Sequence, residues 1–198
     1  MEAHNAAGLL LLGKHQGSWW LLVGAETKPE VVGQYGAFSA KVSDGESEID
    51  TLITRFQQES QSMVVDSGHL KSALASDRCI TKDFIRPTEP PVTYRAHIVP
   101  LDASVIRLFV KTYSKNPILF TETEVKASAG KSTLRWVKLR SVIRNGGEIS
   151  TTEKLDFRTF QLLIDLKPEL TRFLPRPKAS HYQAMRVAGS RVRGSAPF

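Results

Sequence analysis

The stretch from Phe38 to Gln61, FSAKVSDGESEIDTLITRFQQESQ, constrains the fold more than any other part of the chain. Phe38–Val42 reads as a short strand, and Asp44-Gly45 marks a tight turn. Ser47 stands three residues before Asp50, the spacing of a capping box at a helix N-terminus. Ile49, Leu52, Ile53 and Phe56 then recur at i, i+3, i+4 and i+7, which is one apolar helical face. Arg55, Gln58 and Glu59 lie on the other face. The order is thus strand, turn and amphipathic helix.

This layout resembles the signature of the Nudix hydrolase superfamily. The family's box opens with a glycine and places a glutamate six residues on. Eight residues further come Arg-Glu, a hydrophobic residue, a spacer and Glu-Glu. On this chain the frame opens at Ala40 and Glu46 takes the first glutamate. Thr54 falls on the arginine, Arg55 on the next glutamate, Phe56 on the hydrophobic position, and Gln58 and Glu59 on the paired glutamates. Gln61 stands where the family has its second glycine. The box is therefore degenerate at Ala40, Thr54, Arg55, Gln58 and Gln61.

In the family the helical glutamates hold Mg²⁺, which neutralises a diphosphate while water attacks. A hard divalent cation needs carboxylate oxygens. Arg55, Gln58 and Glu59 sum to zero where three acids would give −3. An Arg roughly 5 Å from Mg²⁺ repels it by about 6–7 kcal/mol at an effective dielectric near 20. The resemblance thus implies an α/β fold, a Nudix-like mixed β-sheet sandwiched between α-helices, while Arg55 and Gln58 speak against catalysis at the box. If the site is active, Glu59 and Glu46 are its metal ligands and Mg or Mn its cofactor. Otherwise the two form a salt-bridge cluster with Arg55. Asp44, Glu48, Asp50, Glu122 and Glu124 are further acids able to replace the missing ones.

The rest of the chain fits one domain, residues 1–174, with a tail at 175–198. A chain of 198 residues with 41% hydrophobic and 24% charged residues can bury a core without staples. Ala7–Leu12 and Trp19–Val23 read as a hairpin around a turn at Lys14–Ser18, and Pro29–Tyr35 as a loop. The apolar run Ala6–Leu12 is too short for a membrane span and lacks a basic leader, which predicts a strand and not a signal peptide. Met63–Val65 reads as a strand and His69–Ala75 as a short helix within a modest insertion at 66–92. Pro87, Pro90 and Pro91 end that insertion in an extended segment. Val92–Leu101 and Ser132–Leu139 are predicted strands, and Val105–Val110 suits strand or helix. Leu139–Ile143 is predicted to be a short helix and Leu155–Leu166 an amphipathic one. Cys79 is the sole cysteine, which excludes a disulfide framework and a cysteine metal cluster and suits the cytoplasm or another reducing compartment. The five histidines show no metal-ligand spacing.

Trp19, Trp20 and Tyr35 fall where the resemblance puts the base-facing wall of a nucleotide pocket. They either stack a nucleobase or pack the sheet. Lys126, Lys131, Arg135, Lys138, Arg140 and Arg144 occupy a stretch without an acid, either a solvated face or part of a positive surface. The tail carries Arg176, Lys178, Arg186, Arg191 and Arg193 and no acid, so it supplies most of the net charge of +7. It has no apolar periodicity and is predicted to be disordered when free, with RNA or another polyanion as its partner. The expected function is a nucleotide- or RNA-binding or assembly module, a structural component of a larger ribonucleoprotein or viral particle with further protein subunits. The alternative is an active Nudix hydrolase that cleaves a nucleoside diphosphate linked to another moiety, capped RNA included, with a divalent metal. RNA binding by the full chain should fall with salt at a slope of about −3 to −4 if the tail charges meet single-strand phosphates. Removing Pro175–Phe198 should take away most of that affinity and leave the fold intact. Unchanged affinity and slope would show that the tail is not the binding element.

Overall fold

The computed structural model describes residues 5–27, 34–42, 45–86, 89, 91–106, 118–119 and 131–174. β1 (Asn5–His15) is the central strand. One edge of β1 pairs in parallel with β6 (Val92–Leu101) from Ala6 to Gly13. The other edge is shared. Asn5–Leu9 pairs antiparallel with β4 (Phe38–Val42), and Leu12–His15 with β2 (Ser18–Glu26). β2 continues past this fork to pair with β3 (Gln34–Gly36) and, on its far edge, with β8 (Lys131–Lys138). β5 (Ile80–Arg86) extends the sheet beyond β6. Two short strands, β7 (Ile118–Leu119) and β9 (Lys154–Leu155), pair with β8 and β3.

Both faces of this sheet are covered. α1 (Glu48–Ser60) and α2 (Ser67–Leu74) close one face, and α3 (Leu139–Arg144) and α4 (Phe157–Asp165) the other. Alternate residues of β1 serve opposite cores. Ala7, Leu9 and Leu11 pack under α1, while Leu10 and Leu12 pack under α4. A strand buried on both sides reads as a continuous apolar run, which is why Ala6–Leu12 shows no alternation. Among the described residues no helix is long and apolar enough to cross a membrane.

Phe38–Val42 and Val92–Leu101 are the predicted strands, and Ser47 caps α1 by accepting from the Asp50 N–H at 3.3 Å. The hairpin strands run closer to the turn than expected. Gln16 and Gly17 both take positive φ (47° and 72°), the tight geometry that matches strand twist. Three expectations are corrected. Tyr35 belongs to β3, not to a loop, because its backbone is paired with β2 and β9. Met63–Val65 is a bend and not a strand; Val64 and Val65 are buried through packing, without a ladder. The segment 66–92, read as a modest insertion, holds β5, paired with β6 over seven residue pairs. The last helix starts at Phe157, since Asp156 accepts from the N–H groups of Arg158 (2.9 Å) and Thr159 (3.0 Å), and Leu155 lies in β9. Val105 ends a 3₁₀ turn at Ala103–Val105. Residues 107–117, Pro87, Pro90, Glu122, Glu124, Lys126 and the tail lie outside the described residues.

α1 ends in a left-handed turn. Gln61 and Ser62 have φ of 50° and 55°, and Ser62 N–H reaches back to the Gln57 carbonyl at 3.0 Å. Gln61 is the position at which the box carries glycine, so the missing glycine leaves a residue with a Cβ in the αL region. Gln61→Gly is expected to raise stability by about 0.5–1 kcal/mol, the αL penalty less the added backbone entropy. Urea unfolding reads this directly, and a loss of stability would show that the Gln61 side chain outweighs the strain.

Candidate functional site at the box helix

Local contacts fix α1 on the sheet. On its inner face Leu52, Ile53 and Phe56 are buried, and Phe56 meets Phe38 edge-on with centroids 4.8 Å apart. At its N-terminal end Glu48 accepts from His97 Nε2 at 2.7 Å and lies 3.5 Å from Arg95. Arg95 in turn grips Asp83 of β5 through two hydrogen bonds of 2.6 and 3.0 Å. His97 is thus a satisfied core residue, buried in β6 and also paired with Thr81. At the other end Gln57 Nε2 donates to the Val65 carbonyl at 2.9 Å, which ties the helix to the bend that follows.

A cavity of about 640 Å³ opens between α1 and β4. Glu46, Arg55 and Gln58 line it, together with Lys41, Asp50 and the Ala40 position. Glu46 is exposed at the mouth and accepts from the Thr51 hydroxyl at 3.4 Å. Asp50 is held by Lys71 at 2.8 Å, and hydrogen bonds from Lys71 and Ser47 keep its carboxyl below the usual carboxylate range.

Glu59 is not among the cavity residues. It is 4% exposed and sits beneath Arg55, whose Nε is 2.7 Å from its Oε1. The helix turns Glu59 inward toward β8. Among the described residues its other oxygen, Oε2, is buried without a hydrogen-bond partner. Burial pushes the Glu59 carboxyl up. Lys131 and then Arg55 draw it back down, and the Glu26 carboxylate adds a smaller upward push.

Lys131 is 2% exposed and ion-paired with Glu26. Two glycines make room for it. A Cβ on Gly24 would lie 2.8 Å from Lys131 Cδ, and one on Gly36 would lie 3.1 Å from its ammonium and 2.7 Å from the Asp156 carboxylate. Four charges from three distant segments therefore meet under the box helix: Glu26, Lys131, Arg55 and Glu59. Glu46 stays outside this cluster, so the expected Glu46–Glu59 pair is not brought together.

The mid-chain basic stretch does not form one positive face. Lys131 is buried and Arg135 is paired with Glu153, while Lys138, Arg140 and Arg144 are exposed. Nor do the three aromatics share a platform. Trp19 and Trp20, adjacent in β2, pack toward opposite cores. Tyr35 is 6% exposed and donates its hydroxyl to Glu153 at 3.2 Å, and burial first and Glu153 second raise its pKa. None of the three lines the box-helix cavity. Sequence inspection placed Lys131 only in a basic run. The pairing with Glu26 spans 105 positions and leaves no local signal.

Solved structures share this architecture. A MutT/nudix family protein from Enterococcus faecalis aligns over 87% of this chain and 63% of its own length, at 10% identity and a TM-score of 0.52. A bifunctional NMN adenylyltransferase/ADP-ribose pyrophosphatase from Francisella tularensis, solved with AMP and a manganese ion, aligns over 85% of this chain and 42% of its own, at 11% identity and a TM-score of 0.53. The NUDIX domain of NrtR from Shewanella oneidensis, solved with ADP-ribose, aligns over 86% and 90% at 11% identity and a TM-score of 0.50. No family model and no curated protein matches the sequence. At these identities the shared property is the fold, and the chain has a Nudix-like fold.

The charge cluster makes a prediction about restoring the box. Arg55→Glu with Gln58→Glu should destabilise the protein without metal, because Glu59 loses its partner inside. Removing one member of a fully buried pair costs about 3–5 kcal/mol, and the part-exposed Arg55 sets a smaller loss here. Mg²⁺ or Mn²⁺ should recover part of that loss, read as a thermal shift that the wild type lacks. Equal shifts in wild type and double variant would mean that Arg55 does not guard the site.

Proposed function

We propose that this Nudix-like fold serves as a nucleic-acid-binding or assembly module that has given up metal-dependent hydrolysis. The observation that carries this reading is the state of Glu59. The acid at the box position is buried, bonded to Arg55 at 2.7 Å and placed in the field of Lys131. A Mg²⁺ ion at that carboxylate would face two fixed cations and lose its water in a confined space. Among the described residues no three acids, histidines or cysteines gather to hold a metal. The residues present do not fit the ion that the Nudix fold implies, so no hydrolytic step is derived through it.

The alternative, a hydrolase with relocated acids, draws on Glu46 and Asp50, which line the cavity beside the box helix. Both sit at or near the helix N-terminal end, with Asp50 already paired to Lys71. The basic tail and the fold's nucleotide-bound neighbours favour an RNA-related role, as part of a ribonucleoprotein or viral particle.

Two measurements test the proposal. Mg²⁺- and Mn²⁺-dependent release of phosphate or monophosphate from nucleoside diphosphate derivatives and capped RNA should not exceed that of Glu59→Gln. Calorimetric titration should find no divalent site tighter than millimolar. Metal-dependent turnover that Glu59→Gln abolishes would overturn the proposal, and turnover lost only in Glu46→Gln would establish the alternative.

A further inference from the structure

A second pocket, of about 370 Å³, lies on the α3 side of the sheet, away from the box helix. Its apolar wall is Trp19 and Phe173, which meet edge-on at 5.0 Å and belong to the core under α3 and α4. Its polar wall is Arg140, Ser141 and Arg144 of α3, with Ser18 at the start of β2. Lys138 also borders it, but the Lys138 ammonium lies 5.9 Å over Trp20, which packs into the opposite core, and adds no charge to this wall. Lys14 stands 5.8 Å over Trp19 and Arg172 stands 5.3 Å over Phe173. Neither lines the pocket, and both add to the positive field around it.

Two features of the polar wall call for an anion. Arg140 and Arg144 are exposed and four residues apart in α3, so they project to one side and repel each other. Among the described residues no carboxylate lines the pocket, so nothing there offsets the pair. Arg144 Nε donates to the neutral Asn145 amide oxygen at 3.3 Å, a bond that leaves its charge uncompensated. Arg55, Arg78, Arg95 and Arg135 by contrast each hold a carboxylate. Two guanidiniums with the Ser18 and Ser141 hydroxyls beside them form a donor set for a tetrahedral oxyanion, which presents several acceptor oxygens at once.

We infer that this pocket binds a phosphate monoester that carries an aromatic group, of the size of a nucleoside monophosphate. Charge selects the monoester. It carries about −2 at neutral pH on three oxygens and so balances Arg140 and Arg144 together, whereas a phosphodiester carries a single charge. The apolar wall selects the attached group, since inorganic phosphate would leave Trp19 and Phe173 without a contact. Volume sets the size. About 370 Å³ sits at the low end of ligand pockets, room for one mononucleotide. The inference goes beyond the nucleic-acid-binding reading above and does not rest on it, because the pocket and the box-helix cavity lie on opposite faces of the sheet.

The test is titration calorimetry on the full chain with UMP, uridine, the diester UpU and inorganic phosphate. UMP should bind one to one, and the other three should each bind more weakly by about tenfold or more. The variant Arg140→Ala/Arg144→Ala should lose about tenfold or more in UMP affinity. Its thermal midpoint should be no lower than that of the wild type, since both side chains are exposed and their mutual repulsion is removed. UMP should also quench tryptophan fluorescence in the wild type and much less so in Trp19→Phe, a readout that does not depend on the double variant folding. Equal UMP affinity in the wild type and a folded double variant would overturn the site, as would a wild type that binds no UMP up to millimolar concentration. UpU as tight as UMP would overturn the monoester assignment, and inorganic phosphate as tight as UMP would overturn the aromatic group. RNA binding and hydrolytic activity bear on the proposed function alone, so the two readings fail separately.

Discussion

Burying Glu59 obliges this protein to bury positive charge with it. An isolated carboxylate in the interior is costly, and the usual remedies are protonation or a partner. Here the remedy is built from Arg55, one helical turn away, and Lys131, brought in on β8 with Glu26 as its own counter-ion. Gly24 and Gly36 then follow as a packing necessity, since a Cβ at either would collide with the cluster. The arrangement ties the box helix to β2, β3 and β8 at once. A divalent cation would do the same job of neutralising acids, and an internal ammonium does it without a ligand from solution.

That substitution shapes the reading of the cavity beside the helix. Three residues of the box frame, Glu46, Arg55 and Gln58, stand at its wall, yet the buried Glu59 is not among the cavity residues. Polar groups at the mouth without carboxylates converging at the floor fit binding better than phosphoryl chemistry, which depends on neutralising a developing charge.

The sequence by itself determined the strand–turn–helix at 38–61. Capping at Ser47 and the i, i+3, i+4, i+7 spacing act over a few residues, so they are visible without neighbours. It likewise determined β1, β6, β8 and the identity of the fold, because apolar runs and the frame of the box are local patterns. The backbone at Gln61 is left-handed, a conformation that glycine takes without a Cβ penalty. Only the tertiary structure decided where charges and aromatics point. Whether Lys131 is solvated or buried depends on Glu26, and whether Tyr35 stacks a base or braces Glu153 depends on β9. β5 escaped notice because an antiparallel partner, not its own composition, makes it a strand. These features rest on pairings between segments tens of residues apart, and such pairings exist only once the sheet has brought the segments together.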